Sequence, residues 1–346
     1  MQIRSLILIS LIQEGDELVI VMNNRVLIIG FGRIGQMKAK QWESLNCDVY
    51  VYDTDIKTLG EARRSGYQVV NNLNQEIEYL DICVPTALHA TYIMDERITV
   101  LKNIVVEKPI VSNSTDWALL NDFAHKFPDK ISKIIVSEQY YYSNALNYVK
   151  NVIEKNEIIS IGIKMNKDRT LDNLNGRFID RDLHAYGIEF PHILAVLDLF
   201  NIDFSKINSE FENDFFFNVI EAESGCTLEG SVGQIHYYLE SFLGMYIYSS
   251  QQDTPHNKVD REVVIQTKKE SYIVKFDPVK GLDRYRSMII SKDSEFTLED
   301  NMLGNMISRI INGQPESNCN FYNAMNLACV LMNLKSNAQH HNIALN

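Results

Sequence analysis

The sequence predicts an α/β protein, with a doubly wound parallel sheet followed by an α+β domain built on a large, open, mostly antiparallel sheet. Three observations predict it. Apolar strand-like runs alternate with helical stretches from residue 25 to about 137, a glycine-rich turn follows the first run, and beyond residue 144 closely spaced segments alternate apolar and polar residues. The 346 residues exceed the usual domain of about 100–200, so two domains are expected. Their bounds are placed at residues 22–143 and 144–346, with residues 1–21 as an N-terminal extension.

Arg25 to Gly30 (RVLIIG) is a β-branched and leucine run, as expected of a parallel strand buried on both faces. Gly30-Phe31-Gly32-Arg33-Ile34-Gly35 follows and leads into a helix over Gln36 to Leu45. In this setting Gly30 makes the tight turn, Gly32 lets backbone approach a pyrophosphate, and Gly35 lets helix and strand pack closely. The helix start presents free N–H groups to the phosphates. The next strand, Asp48 to Tyr52, ends at Asp53, close to the roughly 20-residue spacing expected for an acid that binds an adenine ribose. A carboxylate there repels a 2′-phosphate and favours NAD, while Arg33 keeps NADP open. Further strands are expected at Tyr79 to Val84, Asn103 to Val106 and Ile131 to Val136, with a helix over Leu88 to Met94. This is the pattern of a Rossmann sheet, whose ligands lie at the carboxyl ends of the strands. Val84, Pro85, Thr86, His89, Glu107 and Lys108 all fall just past such ends.

Composition excludes several function classes. Hydrophobic residues at 45% and charged residues at 23% describe a folded chain, not a disordered or collagen-like one. A formal net charge of −12 disfavours nucleic acid and anionic membrane as partners. The five cysteines form no CxxC pair and read as reduced thiols of a cytoplasmic protein. No apolar run approaches the roughly 20 residues needed to span a bilayer. For the first residues, Glu14, Asp16 and Glu17 argue against a signal peptide; Met22 as initiator and a short extra strand or helix are the two remaining readings.

Three motifs together carry a family resemblance: Gly30-x-Gly32-x-x-Gly35, Cys83-Val84-Pro85-Thr86-x-x-His89, and Glu107-Lys108-Pro109. In order and spacing the chain resembles the Gfo/Idh/MocA dehydrogenases, which include glucose-fructose oxidoreductase and inositol dehydrogenase. The resemblance covers residues 25 to about 340, the second half by pattern more than identity. It implies a second domain with a large open sheet, a last helix packed on the first domain, and an active-site lysine, here Lys108, touching substrate hydroxyl and nicotinamide ribose. An ammonium beside a reacting alcohol would stabilise developing alkoxide charge, and its pKa should fall near NAD+. His89 is either a helix-start histidine near the nicotinamide or a surface side chain.

In the second half, strands are expected at Ile158 to Met165, Phe215 to Ile220, Cys226 to Tyr238, Met245 to Ser249, Val263 to Thr267, Tyr272 to Phe276 and Arg286 to Ser291. Helices are expected from Ala185 or Pro191 to Phe200, over Leu298 to Ile311 and over Asn320 to Asn337, the last with an apolar face of Leu327, Val330, Leu331 and Leu334. The family's second-domain signature places an acid four residues before a histidine. His192 fits the histidine, but Ile188 stands where the acid belongs. Glu189 could replace it if both share a helical face, although Pro191 clouds that geometry; Asp180 with His184 has the spacing but lies upstream. His192 is the expected general acid/base, with His184, Glu189, Tyr141 and Arg181 as substrate-contacting candidates.

Lys164, Lys167, Arg169, Arg177 and Arg181, mixed with Asp168, Asp172, Asp180 and Asp182, form either a solvated loop at the cleft mouth or a hold for a substrate phosphate or carboxylate. No metal is expected, since His340 and His341 lack a third ligand at standard spacing. The expected activity is NAD(H)-dependent oxidation of a secondary alcohol of a sugar, amino sugar or cyclitol, or reduction of the matching ketone, in a homodimer or homotetramer. An imine or enamine reductase and an inactive nucleotide sensor are the rivals.

Overall fold

A computed structural model describes residues 24–153, 157–170, 180–207, 212–218, 223–244, 259–276 and 285–342. The N-terminal extension, Met22, Asp172, Arg177 and the strand expected at Met245 to Ser249 lie outside the described residues.

The first sheet has six parallel strands in the order β3-β2-β1-β4-β5-β6. They are β1 (Arg25–Ile29), β2 (Asp48–Tyr52), β3 (Gln68–Val69), β4 (Gln75–Ile82), β5 (Ile98–Glu107) and β6 (Ile134–Ser137). The order reverses between β1 and β4, which opens a crevice at their carboxyl ends. Helix α1 (Arg33–Ser44) starts three residues earlier than the sequence suggests, with Gly32 as its N-cap. Ile131 closes a short helix (Pro128–Ile131) instead of opening the last strand.

Among the described residues the second sheet has nine strands, in the order β14-β13-β12-β11-β7-β10-β9-β8-β15. They are β7 (Ile158–Lys167), β8 (Glu212–Asn218), β9 (Glu223–Val232), β10 (Ile235–Phe242), β11 (Val259–Thr267), β12 (Ser271–Phe276), β13 (Arg286–Ile290), β14 (Glu295–Glu299) and β15 (Gln339–Asn342). Its pairs are antiparallel except β7 with β10 and β8 with β15. The single strand expected over Cys226 to Tyr238 is a hairpin, β9 and β10, turning where Gly233 takes φ +63°. Leu298, expected in a helix, lies in β14, and the helix runs Met302–Ile311.

Alternate residues of β1, β4, β5 and β6 feed two apolar clusters, as the period-two alternation of a strand requires. Leu27, Ile29, Leu80, Ile82, Ile104 and Val106 pack beneath helix Ser114–Lys126 and one side of the last helix, Phe321–Asn337. On the other side Val26, Ile28, Trp42 and Val105 join a cluster that continues through Tyr140, Leu146 and Leu194 to Ile161, Ile163 and Val263 in the second sheet. Each large side chain buried this way contributes about 1.5–3 kcal/mol. The last helix packs on the first half as expected, but with Phe321, Ala324, Met325 and Ala328, and Trp117 donates its indole N–H to the Met325 carbonyl at 3.2 Å. Leu327, Val330, Leu331 and Leu334 instead join the core shared with the second sheet.

Candidate active site

A cleft of about 700 Å³ runs over the tips of β1, β2 and β4 and under the second sheet. Its floor is the glycine turn. Gly30 has φ +91°, and a Cβ there would sit 2.9 Å from the Cys83 carbonyl. A Cβ on Gly35 would fall 2.1 Å from the Gly30 oxygen, whereas around Gly32 there is open space within 4 Å. The three glycines therefore do what the spacing requires: a left-handed turn, close helix packing, and a bare backbone facing the cleft. Asp53 Oδ2 accepts the Phe31 N–H at 2.7 Å, which holds the acid at the mouth of the turn. Arg33, Ile34, Asp53, Val84, Pro85 and Thr86 line the same space. Phe31 contributes backbone alone, because its ring is buried against Tyr67, with centroids 5.5 Å apart. An open, amide-lined turn beside an acid fits the pyrophosphate and ribose of a dinucleotide.

Lys108 follows β5 and enters the cleft ahead of the cis peptide to Pro109. Its ammonium donates to the Ile188 carbonyl in the second half. Burial holds its pKa below the usual lysine value, against the raising influence of Glu189, Glu138 and Glu107. Glu107 turns the other way, to Lys38 of α1, 2.7 Å from its Oε1. Lys38 is fully buried and also donates to Asp81 at 2.8 Å; Asp81 accepts the Trp42 indole N–H at 2.8 Å. Burial works against the Lys38 charge, but Asp81 and Glu107 overcome it and hold the ammonium above its ordinary pKa. Against its own burial, Glu107 is kept below the carboxylate range by Lys38. The sequence gives no local sign of this cluster, because its members come from α1, β4 and β5.

His192 lies in the helix Phe190–Leu199 and faces the cleft. Its acid partner is Glu138, just past β6: Nδ1 lies 2.7 and 2.9 Å from the two carboxylate oxygens. The Tyr140 ring lies against the imidazole at a tilt of 45°, with centroids 4.7 Å apart. The carboxylate accepts a hydrogen bond from Nδ1–H, so Nε2 carries the lone pair. Burial lowers the His192 pKa, Glu138 partly restores it, and Lys108 lowers it further, so the ring is neutral at pH 7. Glu189 meets His192 only through its backbone carbonyl, which accepts the His192 N–H at 3.1 Å; its carboxylate turns elsewhere. It accepts from Arg261 of β11 at 2.8 Å and, despite burial, is held well below the carboxylate range by Arg261 and Lys167.

His89 also lines the cleft but is no surface group: it is buried with Nε2 3.0 Å from the Val84 carbonyl and Nδ1 3.1 Å from that of Pro109, between two cleft turns. Three expected site residues lie outside the cleft lining. Tyr141 is buried and donates to Asp198 at 2.6 Å, a brace between halves instead of a substrate contact. His184 sits among Phe215 and Phe217 outside the cleft lining, and burial lowers its pKa to about 4. Arg181 is exposed and outside the lining as well. Lys167 and Arg169, from the mixed-charge segment, do line the cleft.

Residues 24–132 match the model of an oxidoreductase family with an NAD-binding Rossmann fold, Gfo/Idh/MocA. No match is found among curated proteins. Solved structures share the fold across both halves of the chain. UDP-N-acetylglucosamine 3-dehydrogenase GnnA from Acidithiobacillus ferrooxidans aligns with TM-score 0.67 and 12% identity over 92% of this chain and 98% of that one. A variant of the 3-ketoreductase KijD10 from Actinomadura kijaniata, solved with TDP-benzene and NADP, aligns at 0.65 and 12% over 93% and 100%. A myo-inositol dehydrogenase from Corynebacterium glutamicum aligns at 0.64 and 16% over 91% and 96%. Among the described residues no helix is long and apolar enough to cross a membrane.

Proposed function

We propose that this chain is an NAD(H)-dependent oxidoreductase that oxidises a secondary alcohol of a sugar, amino sugar or cyclitol, or reduces the matching ketone. The observation that carries the reading is the meeting of Lys108 and the Glu138–His192 pair in the one cleft that also holds the glycine turn. The domains are taken as residues 22–143 for cofactor and 144–346 for substrate. The fold shared with a UDP-N-acetylglucosamine 3-dehydrogenase and a myo-inositol dehydrogenase supports this substrate class.

A bound nicotinamide supplies the acceptor for the hydride that leaves the carbinol carbon. The protein does the rest. His192 Nε2 accepts the hydroxyl proton, and Glu138 fixes the ring and stabilises the imidazolium that forms. The Lys108 ammonium, aimed by the Ile188 carbonyl, meets the charge that develops on the alcohol oxygen. Asp53 at the turn favours NAD over NADP by repulsion of a 2′-phosphate.

Nicotinamide absorbance with a panel of polyols, aminocyclitols and sugar phosphates, run with NAD and NADP in parallel, tests the reading. Lys108→Ala should bind NADH nearly as wild type while turnover falls by about two to four orders of magnitude. Undiminished turnover in that variant rejects the mechanism. The second sheet also presents Val264, Ile273, Ile290 and Tyr238 partly exposed on the face opposite its helices, which supports a homodimer or homotetramer; light scattering that shows a monomer rejects that part.

A further inference from the structure

We propose that Gln139 reads the substrate: its side-chain amide hydrogen-bonds a hydroxyl on the carbon next to the reacting carbinol, so this cleft takes a neutral vicinal diol. The proposal deepens the oxidoreductase reading and rests on it for where the reacting carbon lies.

Gln139 stands beside the residues of the proton transfer. β5 and β6 are parallel, with Glu107 opposite Ser137, so Lys108 and Glu138 leave the sheet side by side, about 4.8 Å apart. Gln139 is the next residue and lines the cleft with Lys108, Glu189 and His192. It opens a short helical turn, Gln139–Tyr142, whose other members are fixed. Glu138 caps that turn by accepting the Tyr140 N–H at 3.2 Å. Tyr140 lies against His192, Tyr141 donates to Asp198, and the Tyr142 hydroxyl accepts the Glu316 N–H at 2.9 Å. These three tyrosines are buried, and of the four residues in the turn only Gln139 reaches the cleft lining. An anchored backbone that presents one side chain is preorganised for recognition.

Partnering decides what that side chain can receive. The charged groups at this end of the cleft are engaged: Glu138 with His192, Glu189 with Arg261, and Lys108 with the Ile188 carbonyl. Lys167 and Arg169 also have partners within the chain. The Gln139 amide, by contrast, has no hydrogen-bond partner among the described residues and is not sealed from the cleft. A carboxamide offers N–H donors and a carbonyl acceptor without charge. A hydroxyl, which both gives and accepts, answers both, whereas a carboxylate or phosphate group answers the donors alone. Because Gln139 is one residue from the carboxylate that holds the general base, the hydroxyl it meets sits on the carbon beside the one that reacts. Three strand intervals put the turn after β6 roughly 14 Å from the glycine turn after β1, with Lys108 of β5 between them. The amide therefore stands on the substrate side of Lys108, away from the dinucleotide.

Calorimetry on the full chain saturated with NADH tests this, with glucose and myo-inositol as probes, each beside its singly deoxygenated analogues. At least one parent should bind, and at least one of its deoxy analogues should bind about three- to tenfold more weakly. Gln139→Leu should weaken the parent by a similar factor and leave that analogue within about twofold of its wild-type affinity, since the lost hydroxyl and the lost amide are two ends of one contact. The affinity for NADH should be unchanged. The deoxy series uses wild-type protein, so a misfolded variant does not remove the test. Equal losses for parent and analogue in Gln139→Leu, analogues that all bind as tightly as their parents, or no heat with any sugar overturns the proposal. So does a fall in NADH affinity, which would assign the amide to the nicotinamide carboxamide. Turnover is scored separately: Gln139-dependent discrimination without nicotinamide reduction sinks the oxidoreductase reading alone, and turnover with discrimination unchanged in Gln139→Leu sinks this inference alone.

Discussion

Glu138 determines what His192 can do. The imidazole lies in a buried setting that favours its neutral form, and the carboxylate at 2.7 Å sets the tautomer and partly restores basicity. Replacing Glu138 with Gln keeps the size of the side chain and removes the charge. In Glu138→Gln, kcat should fall by about a hundredfold, and the acidic limb of the pH–rate profile should move to lower pH, because the group that raised the His192 pKa is gone. An unchanged limb with unchanged kcat would mean that His192 moves no proton. This partner was not legible in the sequence, since Glu138 and His192 are 54 positions apart and spacing rules see only neighbours on one helix. The histidine itself was legible, as was Lys108, because a motif marks each. Glu189, offered by proximity, was claimed by Arg261 from a strand that local spacing cannot place.

At the level of elements, Lys38 links α1, β4 and β5 beneath the cleft through Asp81 and Glu107. Removing one member of such a cluster leaves uncompensated charge in the interior. Lys38→Met should therefore cost about 3–5 kcal/mol of stability in denaturant unfolding, and adding Asp81→Asn should return part of it. A loss under about 1 kcal/mol would show that the buried ammonium is dispensable. The parallel half of the fold was readable because each strand is a short apolar run ended by Gly, Asp or Pro. The hairpin of β9 and β10 was hidden for the opposite reason. Its turn at Gly233 interrupts neither the polar nor the apolar alternation, so two strands looked like one.

For the molecule as a whole, acid should be destabilising through its buried histidines. Burial lowers the pKa of His89, His184 and His192 from 6.5, with His184 reaching about 4. Below 6.5 the unfolded chain binds protons that the folded chain refuses, so this contribution is complete above 6.5 and is lost as pH falls toward about 4. Glu107 and Glu189, both held low, add losses of the same sign below the carboxylate range. Relief of the −12 net charge acts the other way, but it is spread over exposed groups and screened beyond about 8 Å at physiological salt. The thermal midpoint should fall between pH 7.5 and 5.5; a level or rising midpoint contradicts it. The carboxylate that steadies His192 comes from the parallel sheet and the imidazole from the helix under the antiparallel one. A chimera that took the parallel sheet from one protein and the antiparallel one from another would part this imidazole from its carboxylate.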